Sequence, residues 1–273
     1  NGSGKSTTIK ILTGVIVPTS GRAECLGFEP WTQRKEYSQH IGVVFGQKSL
    51  LWWDLKVEDS LKLYKEIFGL TGEEYKSRLE EFNERLQTAP LLQQRTRKLS
   101  LGERMRCELI AALMHQPELV FLDEPTIGLD VVAKEAVRSF LADTNRERDT
   151  TIVLTTHDIG DIEALCERVI LVDAGRKVYD GTLDKLKEKY VREKEVRVFF
   201  SKVRNKRLLD ETLAAGRVEE RTHDFVSVHF DLHRNRIAER VEDFMRACDV
   251  VDLSVHDPEL SSIIARIYKS GKG

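Results

Sequence analysis

Apolar residues along this chain form short runs that alternate with longer amphipathic stretches. Three runs rich in Val, Ile, Leu and Phe are each followed closely by polar residues, and they lie at His40–Gly46, Glu118–Asp123 and Thr151–Thr155. A short apolar run is typical of a buried strand, whereas apolar residues three or four positions apart indicate a helix. Strands alternating with helices predict an α/β fold with a parallel sheet.

The longest amphipathic stretch separates the first two of these runs. From Val57 to about Met114, apolar residues recur at helical spacing among many charges, which we expect to form a solvated face. The apolar set consists of Leu61, Leu63, Tyr64, Ile67, Phe68, Leu79, Phe82 and Leu86. This pattern predicts a helical subdomain inserted over about residues 56–116.

The pattern changes near the end of the charged segment Asp184–Tyr190, which predicts a helix at a domain boundary. Two further strands and two amphipathic helices are predicted beyond it. We therefore expect a first domain of residues 1–192 and a small accessory α+β module of residues 193–273, in which no candidate site is evident. Near the start of the chain, Gly21–Phe28 predicts an additional strand.

Composition narrows the function classes only slightly. The 273 residues carry 43 Lys and Arg against 45 Asp and Glu, so charge gives no reason to expect nucleic acid or an anionic membrane as a partner. No apolar stretch approaches the roughly 18 residues that a membrane-spanning helix needs. Cysteines occur singly, at Cys25, Cys107, Cys166 and Cys248. We expect them to be small apolar residues rather than metal or redox ligands.

The chain opens within a glycine-rich segment that precedes a short predicted helix. This segment is Asn1-Gly2-Ser3-Gly4-Lys5-Ser6-Thr7-Thr8. It matches the phosphate-binding loop G-x-x-x-x-G-K-[S/T] without the first glycine and the residue after it. In such a loop the lysine reaches the β- and γ-phosphates and the serine binds Mg²⁺, whereas the alternative is a flexible surface turn. Because the motif is incomplete and no Met precedes it, we expect a fragment that binds ATP poorly or not at all.

Polar side chains follow each of the three predicted strands. Gln47 follows the first strand, Asp123 and Glu124 end the second, and His157 follows the third. Ligands of open α/β sheets bind beyond the carboxyl ends of the strands, so these residues are candidates to face a nucleotide. In phosphoryl-transfer sites one carboxylate holds Mg²⁺ and another polarises the attacking water, and His157 is a candidate γ-phosphate contact. An ordinary loop residue, a surface turn and a structural histidine are the respective alternatives.

Two further helix starts carry polar residues. Ser100 and Glu103 match a capping box, in which each side chain bonds the other residue's backbone N–H. The functional alternative is that this helix N-terminus, with Gly102 beside the hydroxyl, offers hydrogen-bond donors to a phosphate. Asp130 is expected to cap the helix that begins at Val131.

The order of these elements resembles that of the ATP-binding subunit of ABC transporters, over roughly residues 1–190. The elements are Lys5, Gln47, Leu99-Ser100-x-Gly102, Asp123-Glu124, Asp130 and His157. The Leu-Ser-x-Gly segment distinguishes that family from other P-loop ATPases. The resemblance implies the P-loop NTPase fold of ABC-type ATPases, ATP and Mg²⁺ as cofactors, and hydrolysis of ATP to ADP and phosphate.

The family's pattern also implies an assembly in which two subunits sandwich two ATP molecules head to tail. Ser100 and Gly102 of one subunit would close on the γ-phosphate held by Lys5 of the other. Glu124 would be the general base, with His157 as the second catalytic residue. The nucleotide would bind along residues 1–7, and the metal would be held by Ser6, Gln47 and Asp123.

Gln47 would additionally sense the permease, and Asp130 would signal across the dimer. The sequence departs from the common Leu-Ser-Gly-Gly-Gln at two positions, where Leu101 replaces Gly and Glu103 replaces Gln. Neither change removes the serine or the last glycine of the motif. The implied function is therefore kept, and Glu103 is counted among the candidate nucleotide contacts.

Within the family, the segment Gln47–Leu55 and the C-terminal module look like exporter-type ATPases. These form the drug- or viologen-export group, whose separate permeases are of the ABC-2 type. Such a subunit would work as a homodimer or with a related ATPase, peripherally on the cytoplasmic face of the membrane, bound to integral-membrane permeases and not to nucleic acid. The transported compound is not encoded here, because selectivity resides in the permease.

Two other functions remain open for a chain of this kind. The first is an importer ATPase, for which the C-terminal module would be regulatory. The second is a non-transport ABC ATPase acting on DNA or ribosomes. The segment between Gln47 and Ser100 is too short for the long coiled coil of DNA-repair members, and the single cassette is unlike translation-type members.

Trp52 and Trp53 are adjacent in the segment after Gln47. Adjacent residues of an extended loop point to opposite sides, so both cannot easily enter one pocket. We expect one to pack inward against the helical block and the other to face a cleft that receives a permease helix. The alternative is that both belong to the core.

Overall fold

The computed structural model describes residues 2–46, 48–258 and 260–270. The chain divides into two compact units. The first unit is Asn1–Cys166 with Leu171–Lys177, and the second is Glu167–Ile170 with Val178–Gly273. The predicted boundary between a first domain of residues 1–192 and an accessory module of residues 193–273 stays a prediction.

The first unit contains a parallel sheet with the strand order β1-β2-β3. Its strands are β1 (Ile41–Phe45), β2 (Leu119–Asp123) and β3 (Thr151–Thr155). The register places Asp123 beside both Phe45 and Thr155. The carboxyl ends of the three strands therefore meet at one edge, and the three predicted strands are confirmed.

Helices surround this sheet. They are α1 (Lys5–Leu12), α2 (Arg34–Tyr37), α3 (Val57–Ile67), α4 (Gly72–Leu86), α5 (Leu101–Leu113), α6 (Val131–Arg148) and α7 (Ile159–Leu165). The helical pattern predicted between Val57 and Met114 is present as α3, α4 and α5. Short 3₁₀ turns at Ala89–Leu91 and Thr96–Lys98 join α4 to α5.

The central strand β2 is buried on both faces. Leu119 and Phe121 pack in a cluster with Ile9 of α1, whereas Val120 and Leu122 pack in the large cluster formed with α3 to α6. Alternate residues of a strand point to opposite faces, which explains the division. The sheet thus holds the helix of the phosphate-loop prediction on one face and the helical block on the other.

The predicted strand at Gly21–Phe28 is wrong. Cys25 and Phe28 form a single bridge, and each donates its N–H to the other's carbonyl at 2.9 Å. Leu26 and Gly27 between them have φ values of 52° and 80°. Two successive residues in the left-handed region form a tight two-residue turn, so the chain reverses where a strand was expected.

A hairpin of β4 (Arg168–Asp173) and β5 (Arg176–Thr182) contributes residues to both units. It turns at Ala174 and Gly175, whose φ values are 46° and 75°. Positive φ at both positions is the geometry that matches the twist of the flanking strands.

The second unit contains an antiparallel sheet with the strand order β7-β8-β6-β9. Its strands are β6 (Glu193–Val203), β7 (Arg217–Arg221), β8 (Phe225–Asp231) and β9 (Cys248–His256). Its helices are α8 (Leu183–Tyr190), α9 (Lys206–Ala214), α10 (Ile237–Ala247) and α11 (Leu260–Ser270). Apolar residues of β6 and β8 form one core with α9 and α10. Over the part of the chain that the structure describes, no helix is long and apolar enough to cross a bilayer.

Candidate active site

The glycine-rich segment leads directly into α1. Gly4 precedes the helix, and its φ of 104° lies in the left-handed region that favours glycine. Thr8 donates both its backbone N–H and its hydroxyl to the Gly4 carbonyl, each at 2.9 Å. The first-turn N–H groups of α1 have no preceding helical carbonyl to bond, so they are suited to an anion. Asn1 of the predicted loop lies outside the described residues.

The start of α1 and the end of β2 meet through a hydrogen bond. The Ser6 hydroxyl donates to Oδ1 of Asp123 at 3.1 Å, and the Thr155 hydroxyl donates to the same oxygen at 2.5 Å. The Lys5 ammonium group donates to the Ser3 hydroxyl at 3.3 Å. The structure therefore brings together the predicted serine and carboxylate, although they are far apart in the sequence.

Glu124 and His157 also come together at this edge of the sheet. Nδ1 of His157 lies 2.7 Å from Oε2 of Glu124. The backbone N–H of Glu124 donates to the Thr155 carbonyl at 3.0 Å, which continues the pairing of β2 with β3 past its last residue. Glu124 has a φ of 58°, a left-handed conformation that is uncommon for a non-glycine residue. The carboxylate is mostly shielded, whereas 63% of the His157 side chain is exposed.

These residues line a cavity of about 620 Å³ at the carboxyl ends of the strands. Its lining consists of Ser6, Lys10, Val15, Phe45, Gly46, Lys48, Asp123, Glu124, Ile127 and His157. Both carboxylates sit on one wall, and two lysines contribute positive charge that would attract a polyphosphate. The cavity lies where parallel α/β sheets bind their ligands.

The donor set at Ser6 and Asp123 suits Mg²⁺. A hydroxyl and a carboxylate oxygen lie 3.1 Å apart at the cavity wall, next to the N-terminus of α1. Mg²⁺ prefers hard oxygen ligands and usually takes one or two from the protein and the rest from phosphates and water. The residues present therefore fit a metal bound together with a nucleotide.

Of the predicted site residues that the structure describes, Ser6, Asp123, Glu124 and His157 line this cavity, whereas Lys5 and the rest of the glycine-rich segment, Ser100, Gly102, Glu103 and Asp130 do not. Ser100 and Glu103 form the predicted capping box at the start of α5, with bonds of 3.3 and 2.8 Å. Gly102 lies in the first turn of the same helix, and Asp130 caps α6 as predicted. Gln47 lies outside the described residues, so its predicted contacts stay predictions.

The expectation that one tryptophan is buried is wrong. Trp52 is 43% exposed and Trp53 is 54% exposed. The ring of Trp52 lies 5.6 Å from that of Tyr64, and the guanidinium of Arg104 lies 5.9 Å from the Trp53 ring. Both rings therefore rest on the helical block at its surface, and neither enters the core.

Several residues of the site were not predicted. Thr155 bonds Asp123, and Lys10, Lys48 and Ile127 line the cavity. The sequence could have indicated Thr155 as a site residue, because it is the last residue of a predicted strand and the ends of parallel strands lie at one edge of the sheet. The two lysines carried no such signal in the sequence.

Comparison with known proteins places these observations in context. Residues 1–127 match the protein-family model described as ABC transporter. The ABC transporter ATP-binding protein NatA of Bacillus subtilis is 31% identical over 74% of this chain and 82% of its own length. The probable multidrug ABC transporter ATP-binding protein YbhF of Escherichia coli is 36% identical over 68% of this chain, which spans only 32% of that relative.

Solved structures agree with the architecture of the first unit. One is the dimeric structure of a post-hydrolysis state of the ATP-binding cassette MJ0796, bound to ADP and Pi. It is 26% identical in sequence, superposes with a TM-score of 0.60, and matches 66% of this chain and 81% of its own.

Proposed function

This chain belongs to the family of ABC transporter ATP-binding proteins, and we propose that it is the motor subunit of an exporter. As a member of that family it binds and hydrolyses ATP. The observation that carries the assignment of individual residues is the pairing of Glu124 with His157 at 2.7 Å beside the Ser6–Asp123 contact. Both pairs line one cavity at the carboxyl ends of β2 and β3.

The proposed site holds the nucleotide through its phosphates. The first-turn N–H groups of α1 and the Lys5 ammonium would bind the β- and γ-phosphate oxygens. Ser6 and Asp123 would hold Mg²⁺, which when bound neutralises charge on those oxygens. These contacts would place the terminal phosphate near the Glu124 carboxylate, because Glu124 directly follows Asp123, the last residue of β2.

Hydrolysis would then proceed at the Glu124 carboxylate. A water molecule attacks the γ-phosphorus, its proton passes to Glu124, and the bond from the γ-phosphorus to the bridging oxygen breaks to release ADP. Nδ1 of His157 is within hydrogen-bonding distance of the carboxylate, to which an N–H at that ring position can donate. His157 thereby orients Glu124, and its exposed ring is placed to contact the γ-phosphate.

A second copy would complete the site. Ser100, Gly102 and Glu103 lie at the start of α5 and Asp130 caps α6, on elements that do not carry the Ser6–Asp123 and Glu124–His157 contacts, and we infer that they act on a nucleotide held by a partner subunit. The structural relative MJ0796 is described as a dimer. We propose a homodimer, or a pair with a related ATPase, in which each signature segment closes on the other subunit's nucleotide.

Permease subunits are the proposed membrane partners. Trp52, Trp53, Leu55, Leu63 and Ile67 are exposed apolar side chains within one short segment of the chain. Such residues are suited to receive an apolar helix of a partner. The names of YbhF and of the bacitracin transport protein BcrA of Bacillus licheniformis support export of an antibiotic-like compound. The subunit would then lie peripherally on the cytoplasmic face of the membrane, with residues 193–273 as an accessory domain.

Substitution of Glu124 by Gln tests the catalytic assignment. In the intact protein the amide keeps the shape of the carboxylate but cannot accept the proton, so turnover should fall by about 10²–10⁴-fold. ATP binding should persist, and ATP shared by two subunits should make the closed dimer accumulate. Turnover by phosphate release and dimer content by light scattering would measure both effects.

The matched control is Glu80→Gln on the exposed face of α4. It removes one carboxylate of the same kind away from the cavity and should leave turnover unchanged. Near-normal turnover by the Glu124→Gln variant would sink the assignment of Glu124 as the base.

A further inference from the structure

Asp161 is a charged residue that is fully buried near the candidate active site. It lies in the first turn of α7, and its side chain has no solvent exposure. It does not line the cavity, and no sequence motif pointed to it. A carboxylate removed from water is stable only where hydrogen-bond donors and a positive charge replace its hydration.

Three donors supply that replacement. The hydroxyls of Thr126 and Thr156 both donate to Oδ2 of Asp161, at 2.5 and 2.8 Å. Nε of Arg138 donates to Oδ1 at 2.7 Å. The Asp161 carboxylate therefore connects three separate segments of the first unit: the loop after β2, the loop after β3 and helix α6.

The two threonines flank the proposed catalytic pair. Thr126 follows Glu124 by two residues, and Thr156 directly precedes His157. One carboxylate oxygen thus ties together the two loops whose side chains meet at 2.7 Å in the site. Apart from the Glu124–His157 contact itself, the backbone bond from the Glu124 N–H to the Thr155 carbonyl is the other direct link between these segments among the bonds that the structure describes.

A second carboxylate holds the same loop to α6. The hydroxyl of Thr156 accepts from the N–H of Asp158 at 2.9 Å, and Asp158 also pairs with Lys134 and Arg138. The hydrogen bond from Lys134 lowers the pKa of Asp158, so this residue stays ionised. The loop that carries His157 is therefore bonded to other elements on both sides of that residue, through Thr156 before it and Asp158 after it. Asp161 links this loop to the loop of Glu124, because it also accepts a hydrogen bond from Thr126.

We propose that Asp161 is a positioning residue for hydrolysis, which holds Glu124 and His157 at the separation that the reaction requires. The inference rests on the proposed roles of those two residues. Asp161 does not touch the nucleotide in this scheme. It acts through its hydrogen bonds with Thr126 and Thr156, so removal of either hydroxyl tests this role directly.

The test replaces each threonine by valine, which removes the hydroxyl and keeps the branched shape, and by serine, which keeps the hydroxyl. A misplacement of catalytic groups by about 1 Å costs on the order of 10²-fold, so Thr126→Val and Thr156→Val should each lower kcat by about 10–100-fold. KM for ATP should change little, because Lys5, Ser6 and the first-turn N–H groups of α1, which are the main proposed phosphate contacts, belong to another segment. The serine variants should retain most of the wild-type kcat.

Thr144→Val is the matched control. Thr144 is also a buried threonine of the first unit, but its hydroxyl donates to the Phe140 carbonyl within α6, at 2.8 Å. This variant should keep the wild-type kcat whatever its effect on melting temperature. A loss of kcat in the Thr126 and Thr156 valine variants that merely tracks melting temperature across all three proteins would overturn the proposal.

The double variant Thr126→Val/Thr156→Val gives an independent measure. If both hydroxyls act through Asp161, the second substitution should cost much less than it does alone, whereas independent effects would multiply. Asp161→Asn should lower kcat as much as the double variant does. If the Asp161→Asn protein fails to fold, the threonine variants decide.

Glu124→Gln is assayed beside the threonine variants. An inactive Glu124→Gln with normal threonine-to-valine variants refutes the role of Asp161 alone, whereas an active Glu124→Gln refutes the proposed function itself.

Discussion

Replacing His115 should make the first unit less sensitive to acid. His115 follows α5, and its ring stacks on Phe68 with 3.7 Å between the ring centroids. Nε2 donates to the Ile41 carbonyl at 3.0 Å, and Nδ1 is buried without a hydrogen-bond partner. Protonation at Nδ1 would place a positive charge and an unpaired N–H in the interior. The folded protein therefore favours the neutral imidazole.

Burial lowers the pKa of His115 from 6.5 to about 4, and the charges of Arg78 and His40 act in the same direction. Because the folded-state pKa is the lower one, the unfolded chain binds more protons between these values. Stability is therefore lost as pH falls from about 6.5 towards about 4. A pKa difference of one unit corresponds to about 1.4 kcal/mol, so this histidine should cost about 2 kcal/mol between about pH 7.5 and about pH 5.

Urea unfolding followed by tryptophan fluorescence provides the assay. The three tryptophans, Trp31, Trp52 and Trp53, all lie in the first unit, so their fluorescence reports the unfolding of that unit. The variant is His115→Gln, whose amide can still donate to the Ile41 carbonyl. The wild type should lose about 2 kcal/mol more than the variant over this pH interval.

The control for this experiment is His223→Gln, which alters a histidine that is 91% exposed in the second unit. This control should show the wild-type dependence on pH. The reasoning fails if wild type and His115→Gln lose the same stability on acidification, because the buried imidazole would then contribute nothing to the loss.

Two further outcomes test the site and the membrane partner. Ser6→Ala should weaken nucleotide binding more in the presence of Mg²⁺ than in its absence, because it removes a hydroxyl that lies 3.1 Å from Asp123 and leaves the backbone donors of α1 in place. Equal weakening in titrations with and without Mg²⁺ would argue against a metal at this position. Since Trp52 and Trp53 are both exposed, replacing either one by alanine should leave the melting temperature and the ATPase activity of the protein unchanged but reduce its co-purification with the permease. Retention of the permease by both variants would exclude docking at these residues.

Local signals in the sequence predicted much of the first unit. The runs that became β1, β2 and β3 are short and apolar, and the run of the central strand β2 is apolar on both faces, as a buried parallel strand requires. Ser100 with Glu103, and Asp130 before α6, are caps that act within one turn of their helix. Such features depend on neighbours in the sequence, so a single chain is sufficient to identify them.

The failures share a dependence on distant residues. In the folded chain Cys25 and Phe28 pair with each other across the turn at Leu26 and Gly27, which the apolar pattern of the sequence did not show. The exposure of Trp52 and Trp53 depends on how closely the helical block approaches the loop. Asp161 is one acid among many in the sequence, and only the folded chain brings Thr126 and Thr156 to it. In the second unit, the edge strands β7 and β9 were not predicted: β7 consists mostly of charged residues, and the apolar residues of β9 are interrupted by Asp252 and Ser254.

The left-handed backbone at Glu124 makes stability and catalysis favour different residues at one position. A residue with a Cβ atom is disfavoured at a φ of 58° by roughly 1–2 kcal/mol, whereas glycine adopts this conformation readily. Selection for higher stability alone would therefore favour glycine here, and under the proposed role of Glu124 as general base a continuing demand for ATP turnover would oppose that change. In a lineage that still needs the fold and bound nucleotide but no longer needs hydrolysis, we expect Glu124 to be replaced before Ser6 or Asp123. The identity of this one residue would then record whether a descendant still works as a motor.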